Sequence, residues 1–214
     1  MKKITEFDAV LWDFDGVVVD SERLWAQEAP NFYHQVCPNF DPKDIHQFVG
    51  GSLKNAWEIF RGKYGVKMDY DEFKKQCEDY ALENMYPHAQ LSPNVWQCFQ
   101  ELRKKNIPQA IASSGTKRWI EPTIERLGIR DFFEVIISSD DTDGRGKPFP
   151  DVFLLAAEKL GKNPAKSLII EDSQNGVKAG KLTGATVYGY QNGYNHTQDL
   201  SEADFLFSDF LEIL

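Results

Sequence analysis

Short apolar runs that stop abruptly at polar residues constrain this chain more than any other feature. Phe7–Trp12 is a run of strand length, cut off by Asp13-Phe-Asp-Gly16, where Asp and Gly favour a turn. Gln109–Ala112 ends at Ser113-Ser-Gly115, Val135–Ile137 at a polar segment leading to Lys147-Pro148, and Ser167–Ile170 at Glu171-Asp172. Thr186–Tyr188 and Phe205–Phe207 have the same strand character. Helical periodicity fills the gaps. Ser92 is expected to N-cap a helix with Pro93 at its first position and Val95, Phe99 and Leu102 on one face. Ile120, Ile124 and Leu127 form a second stripe closed by Gly128, Phe153, Ala157 and Leu160 a third, and Gly176 to Leu182 a fourth. Strands alternating with helices predict an α/β fold, a doubly wound parallel sheet that also takes in the first strand.

One region breaks the alternation. From Ser21 to His88 helical signals come without strands: Trp25, Ala29, Phe32, Tyr33 and Val36, then Leu53, Ala56, Trp57 and Phe60, then Phe73, Cys77 and Tyr80. Ser52 and Asp71 are expected N-caps, Pro42 a helix start and Pro30 a kink. The predicted organisation is therefore a core of residues 1–19 and 89–214 interrupted by an all-helical cap, residues 20–88.

Charge narrows the function classes. The chain has 214 residues, 24 basic against 33 acidic, for a net charge of -9. That balance argues against a broad basic face for nucleic acid or for an anionic membrane, so an anionic substrate must meet local positive charge. No stretch reaches the ~18 apolar residues of a membrane span, and the first residues lack a secretory apolar region. Cys37, Cys77 and Cys98 are odd in number and far apart, without metal-ligand spacing, as are the four histidines. A cytoplasmic monomer is the expectation, with no nucleic-acid or membrane partner. Asn195-His-Thr197 matches a glycosylation sequon but reads as a polar loop.

In an open parallel sheet, ligands bind beyond the carboxyl ends of the strands. Four strand ends here bring Asp13, Asp15, Ser113, Ser114, Gly115, Lys147, Glu171 and Asp172 toward one crevice. Four carboxylates repel one another there unless some are protonated or a divalent cation sits among them, and all-oxygen ligands suit Mg²⁺. Lys147, the Ser113 hydroxyl and the backbone N–H groups of Ser114 and Gly115, expected to open a helix, favour a phosphate. An aspartate can attack phosphorus while a second carboxyl protonates the leaving oxygen and later deprotonates water, and Asp13 and Asp15 suit those roles.

Asp13-Phe-Asp-Gly-Val17, Ala112-Ser-Ser-Gly115, Gly146-Lys-Pro-Phe-Pro-Asp151 and Glu171-Asp-Ser-Gln-Asn-Gly176 together resemble the four ordered motifs of the haloacid dehalogenase superfamily. The resemblance spans nearly the whole chain. It implies Asp13 as nucleophile, Asp15 as general acid/base, Ser113 and Lys147 as phosphate ligands, and Asp172 as Mg²⁺ ligand with Glu171 acting directly or through water. The Asp15 backbone carbonyl would bind the same ion. Dehalogenases of the superfamily lack the second aspartate, so Asp15 points to phosphate chemistry. Members with a small helical cap include sugar-phosphate phosphatases and β-phosphoglucomutase-like mutases. The mutases carry a cap histidine where this chain has Trp25, and a cap-loop arginine where it has Leu53 beside Lys54, so the resemblance favours hydrolysis, with sugar phosphates ranked first. Trp25, Gly50, Gly51, Ser52, Lys54 and Asn55 are the candidate specificity residues, although Trp25 and Trp57 also read as packing residues of the cap. The mutase is the alternative, and a non-enzymatic phosphoacceptor switch is a more distant one.

Overall fold

The computed structural model describes residues 2–48 and 50–214, the side chain of His46 excepted. Six parallel strands, β1 (Ala9–Trp12), β2 (Gln109–Ala112), β3 (Val135–Ile137), β4 (Ser167–Glu171), β5 (Thr186–Tyr190) and β6 (Phe205–Phe207), form one sheet in the order β3-β2-β1-β4-β5-β6. The first strand is central: Trp12 pairs with Ile111 on one side and Ile170 on the other. The order reverses at β1, which opens a crevice beyond its carboxyl end.

The central strands β1, β2 and β4 are short, largely apolar and buried on both faces, as a parallel sheet requires. Alternation decides which helix layer each residue meets. Val10, Trp12, Ile111, Leu168 and Ile170 pack with Phe99 and Leu102 of α4 (Val95–Lys104) and Ile120 and Ile124 of α5 (Lys117–Arg126). Leu11, Ala110, Ala112 and Ile169 pack with Val152 and Phe153 of α6 (Asp151–Lys159) and Val177 of α7 (Gln174–Leu182). The doubly wound architecture read from the sequence is the one observed.

Between β1 and α4 lie three helices, α1 (Ser21–Val36), α2 (Leu53–Tyr64) and α3 (Tyr70–Asn84), with a 3-10 segment over Pro42–Gln47. They enclose a separate aromatic core of Phe32, Tyr33, Phe40, Phe60 and Phe73. Phe60, fully buried, meets the rings of Tyr33, Phe40, Phe48 and Phe73 at centroid distances of 5.0–5.8 Å. The chain enters and leaves this insertion side by side, with Val19 bridged to Leu91 and the Asp20 N–H donating to the Gln90 carbonyl.

Several local expectations shift. Ser52 caps α2 as predicted, accepting from the Asn55 N–H. The cap of α3 is Asp69, which accepts from the Glu72 N–H, and Asp71 falls in the first turn. Ser92 does not cap α4, because the helix starts at Val95 and Asn94, in the left-handed region at φ 64°, takes the cap position. The first strand begins at Ala9 because Ile4–Glu6 forms a 3-10 turn. The helix after β2 starts at Lys117 behind Thr116, so Ser114 and Gly115 precede it. No helix among the described residues is long and apolar enough to cross a membrane.

Candidate active site

The sharp turn after β1 depends on Gly16 at φ 79°, where any Cβ would collide with the Asp172 carboxylate. This close approach sets Asp172 beside Asp13. Oxygens of Asp13, Glu171 and Asp172 lie within 4.8 Å of one another, all three residues buried. Asp172 is oriented by Asn192, whose Nδ2 donates to its Oδ2 at 2.7 Å and to the Gly16 carbonyl at 3.1 Å, and by Asn195 Nδ2 donating to its backbone carbonyl at 2.7 Å.

Lys147 is 1% exposed, its ammonium between Asp13, to which it donates, and Glu171 Oε1 at 2.5 Å. Burial pulls the ammonium toward neutrality, but the charges of Asp13 and Glu171 outweigh it and keep its pKa above the ordinary lysine value. Glu171 Oε2 accepts from the N–H groups of Asp172 and Ser173 and from the Ser173 hydroxyl. Its carboxylate therefore both pairs Lys147 and fixes the start of α7.

Asp15 points away from that trio. Its Oδ1 accepts from the hydroxyls of Ser21 and Tyr86, each at 2.7 Å. Desolvation raises its pKa, against the pull of the Tyr86 and Ser21 hydrogen bonds. Tyr86 stacks on Trp119 at 5.3 Å and 13°, and Trp119 meets the edge of Trp25 at 6.4 Å. A fifth carboxylate, Glu22 of α1, is pushed up to about 7 by desolvation and by the charges of Asp15 and Glu171. Asp13 is raised well above the carboxylate range by burial and by Glu171, with Lys147 opposing, and Asp172 by burial and by Glu22. Surplus buried negative charge of this kind, on oxygen donors alone, fits a hard divalent cation such as Mg²⁺.

Facing this charged floor is a cavity of about 420 Å³ roofed by the helical insertion. Asp13, Asp15, Ser113, Ser114, Gly115 and Lys147 line its base, and Trp25, Gly50, Gly51 and Ser52 its roof. Lys54 and Asn55 do not line it. Lys54 Nζ donates to the Asp143 carbonyl at 3.1 Å and Asn55 Nδ2 to the Lys147 carbonyl at 3.3 Å. The hydroxyl of Ser52 donates to the Gly144 carbonyl at 2.9 Å, and that of Ser114 to the Gly50 carbonyl at 3.2 Å. Gly146 allows this seam, because a Cβ there would meet both serines. The Gly115 N–H donates to Ser113 Oγ at 2.9 Å. Trp57 lies away from the cavity, its indole donating to the Met68 carbonyl.

Of the residues that shape the site, the sequence reading missed Glu22, Ser21, Tyr86, Trp119 and Asn192. In the polar segment after β3, Asp140 pairs with Lys74 of α3 at 2.5 Å and Asp141 with Lys117 at 2.6 Å. Arg118 of α5 spans the same divide to Glu78 and Asp79 at 3.2 and 2.6 Å.

A family model of the haloacid dehalogenase-like hydrolases matches residues 10–190, and the chain belongs to that family. It is an enzyme of the phosphatase kind, as its full-length relatives are. It is 28% identical to a phosphorylated carbohydrates phosphatase of Thermotoga maritima, over 92% of this chain and 91% of that one. It is 32% identical to phosphoglycolate phosphatase of Escherichia coli, over 100% of this chain and 94% of that one. In fold it resembles a β-phosphoglucomutase from Clostridium difficile, with a TM-score of 0.78 at 21% identity over 97% and 93% of the two chains.

Proposed function

We propose that the chain is a Mg²⁺-dependent phosphatase that hydrolyses small phosphomonoesters through an aspartyl-phosphate on Asp13. The observation that carries this reading is the division of labour between two aspartates on one turn: Asp13 faces Lys147 and the carboxylate trio, and Asp15 faces away, hydrogen-bonded by Ser21 and Tyr86. An oxygen of Asp13 attacks phosphorus and the bond to the alcohol oxygen breaks, with the proton of Asp15 passing to that oxygen. Water then attacks phosphorus, Asp15 takes its proton, and the bond to Asp13 breaks, restoring the carboxylate and releasing phosphate. The raised pKa of Asp15 suits it to hold the first proton. Lys147 and Ser113 stabilise the phosphoryl oxygens throughout. Asp13, Asp172 and the Asp15 carbonyl would hold Mg²⁺, with Glu171 bound directly or through water, and the ion would supply positive charge to Asp13 and to the phosphoryl group. The same reading takes residues 1–19 and 89–214 as the catalytic core and 20–88 as its cap.

The relatives named phosphatases support a small phosphorylated metabolite as substrate. A mutase needs a second phosphate anchor. Leu53 offers none, Lys54 is committed to the core loop, and among the described residues Lys43 is the cation that lines the roof of the cavity. Lys43 is the observation that keeps the mutase as a second reading. Phosphate release from a panel of phosphorylated metabolites, with Mg²⁺ or EDTA, separates these. Release that requires Mg²⁺ and falls at least about a thousandfold in Asp13→Asn is expected. Isomerisation of a hexose 1-phosphate without net release would establish the mutase, and a stable phospho-protein without turnover the phosphoacceptor switch.

A further inference from the structure

We infer that the preferred phosphomonoester carries an aromatic or similarly flat apolar group next to its ester oxygen, in the manner of a benzyl phosphate and unlike a polyhydroxylated sugar phosphate. This rests on the phosphatase reading above, which fixes where the two ends of the substrate lie. The phosphoryl group belongs between Asp13 and Lys147, and the leaving oxygen must reach Asp15. Asp15 is flanked by the continuous aromatic row of Tyr86, Trp119 and Trp25. Whatever is attached to the leaving oxygen therefore meets Trp25 and Trp119 first.

Beyond them the cavity is bounded by Ala29, Tyr33, Ile45 and Phe48. Tyr33 and Phe48 are ring-packed at 4.9 Å and backed by Phe60, so this wall belongs to the core of the insertion, and the Tyr33 hydroxyl is the polar group it carries among the described residues. A sugar needs a hydrogen-bonding partner for each hydroxyl it takes out of water. Described polar side chains of the roof loop are turned to the core, the Ser52 hydroxyl on Gly144 and Lys54 and Asn55 on the core loop, and the Ser114 hydroxyl of the base is on Gly50. Glu22 stands with Asp15 and Asp172, on the phosphoryl side. Among the described residues the other polar side chains lining the cavity above the base are Tyr33, Lys43 and, at the mouth, Tyr194 and Thr197, too few for a chain of hydroxyls. A flat ring instead buries apolar area against Trp25 and brings no hydroxyls of its own that need partners.

The test compares kcat/KM of the full chain with Mg²⁺ for benzyl phosphate and glucose 6-phosphate, both esters of primary alcohols, so that leaving-group chemistry is matched. Benzyl phosphate is expected to be favoured by about tenfold or more. Trp25→Ala should lower that ratio by about tenfold, and Trp25→Phe should keep it within about threefold. Should Trp25→Ala not fold, Ala29→Ser puts a hydroxyl in the wall and is expected to lower the ratio at least about threefold. Asp13-dependent hydrolysis that favours glucose 6-phosphate, or a ratio unmoved by these changes, overturns the inference and leaves the phosphatase standing. Preference for a sugar bisphosphate overturns it in favour of Lys43 as a second anchor. Failure to hydrolyse any ester overturns both.

Discussion

The floor and the roof of the cavity are built on opposite principles. The floor gathers Asp13, Glu171 and Asp172 around one buried lysine, with Asp15 and Glu22 at its edge; Asp13, Asp15 and Asp172 follow strand ends, Glu171 closes β4, Lys147 comes from the loop between β3 and α6, and Glu22 from α1. The roof presents mainly rings and methyl groups and turns Ser52, Lys54 and Asn55 onto the loop from Asp143 to Lys147. The floor is costly to assemble, whereas the roof packs around an aromatic core of its own. The proposed chemistry and selection therefore draw on separate cores, joined by a seam of hydrogen bonds and ion pairs.

The sharpest way to test the floor is Asp15→Asn, which can neither give nor take the proton. Steady-state phosphate release should fall by about 10²–10⁴-fold. With p-nitrophenyl phosphate, whose leaving group needs little protonation, a stoichiometric burst of nitrophenol should survive, seen by stopped-flow absorbance. Loss of the burst along with turnover would move Asp15 out of the acid/base role.

The roof breaks differently. Phe60→Ala opens a hole in the aromatic core and should cost about 3–5 kcal/mol in urea unfolding. If the two cores are independent, near-ultraviolet signals from the sheet and from the insertion should separate into two transitions; a single shifted transition would mean that the seam makes them one cooperative unit.

A milder handle is pH. Glu22, at about 7 in the folded chain against 4.5 for an ordinary glutamate, keeps a proton that the unfolded chain has already released between those values. Stability must then fall as pH rises from about 4.5 to 7 and level off above, since the native state binds more protons across that window. The EDTA-treated protein should lose about 2 kcal/mol over this range through Glu22, allowing for its contact with the cavity. Glu22→Gln should flatten the slope in urea titrations at pH 5, 6 and 7, and Mg²⁺ should reduce it. An unchanged slope in the variant would assign it to other groups.

The seam itself should yield the smallest effects. Lys74→Ala removes the pair with Asp140 and should cost less than about 1 kcal/mol, because both groups remain partly exposed. Its kcat/KM should move by a few-fold and converge with wild type at high salt. A larger, salt-independent loss would show that closure depends on this one contact.

Much of the floor was readable because parallel topology converts strand ends into neighbours, so Asp13, Ser113, Lys147 and Asp172 could be gathered without coordinates. Glu22 escaped although a signal existed: it shares the stripe of Trp25 and Ala29 on α1, and an acid on an apolar helical face asks for a partner. Tyr86 had no such marker, since its role depends on how the chain returns from the insertion. Lys54 and Asn55 were placed near the site by their loop, yet side-chain direction turned them to the seam. The caps shifted by two residues for a local reason, the competition among neighbouring Asp, Asn and Ser for the same turn.

The bridge between Val19 and Leu91 carries a further meaning for how such an enzyme can change over generations. Because the insertion begins and ends at adjacent points, the sheet experiences it as a single short loop, whatever its length or contents. A different roof could be spliced between those two residues with the reaction centre left in register, which makes the insertion an exchangeable cassette.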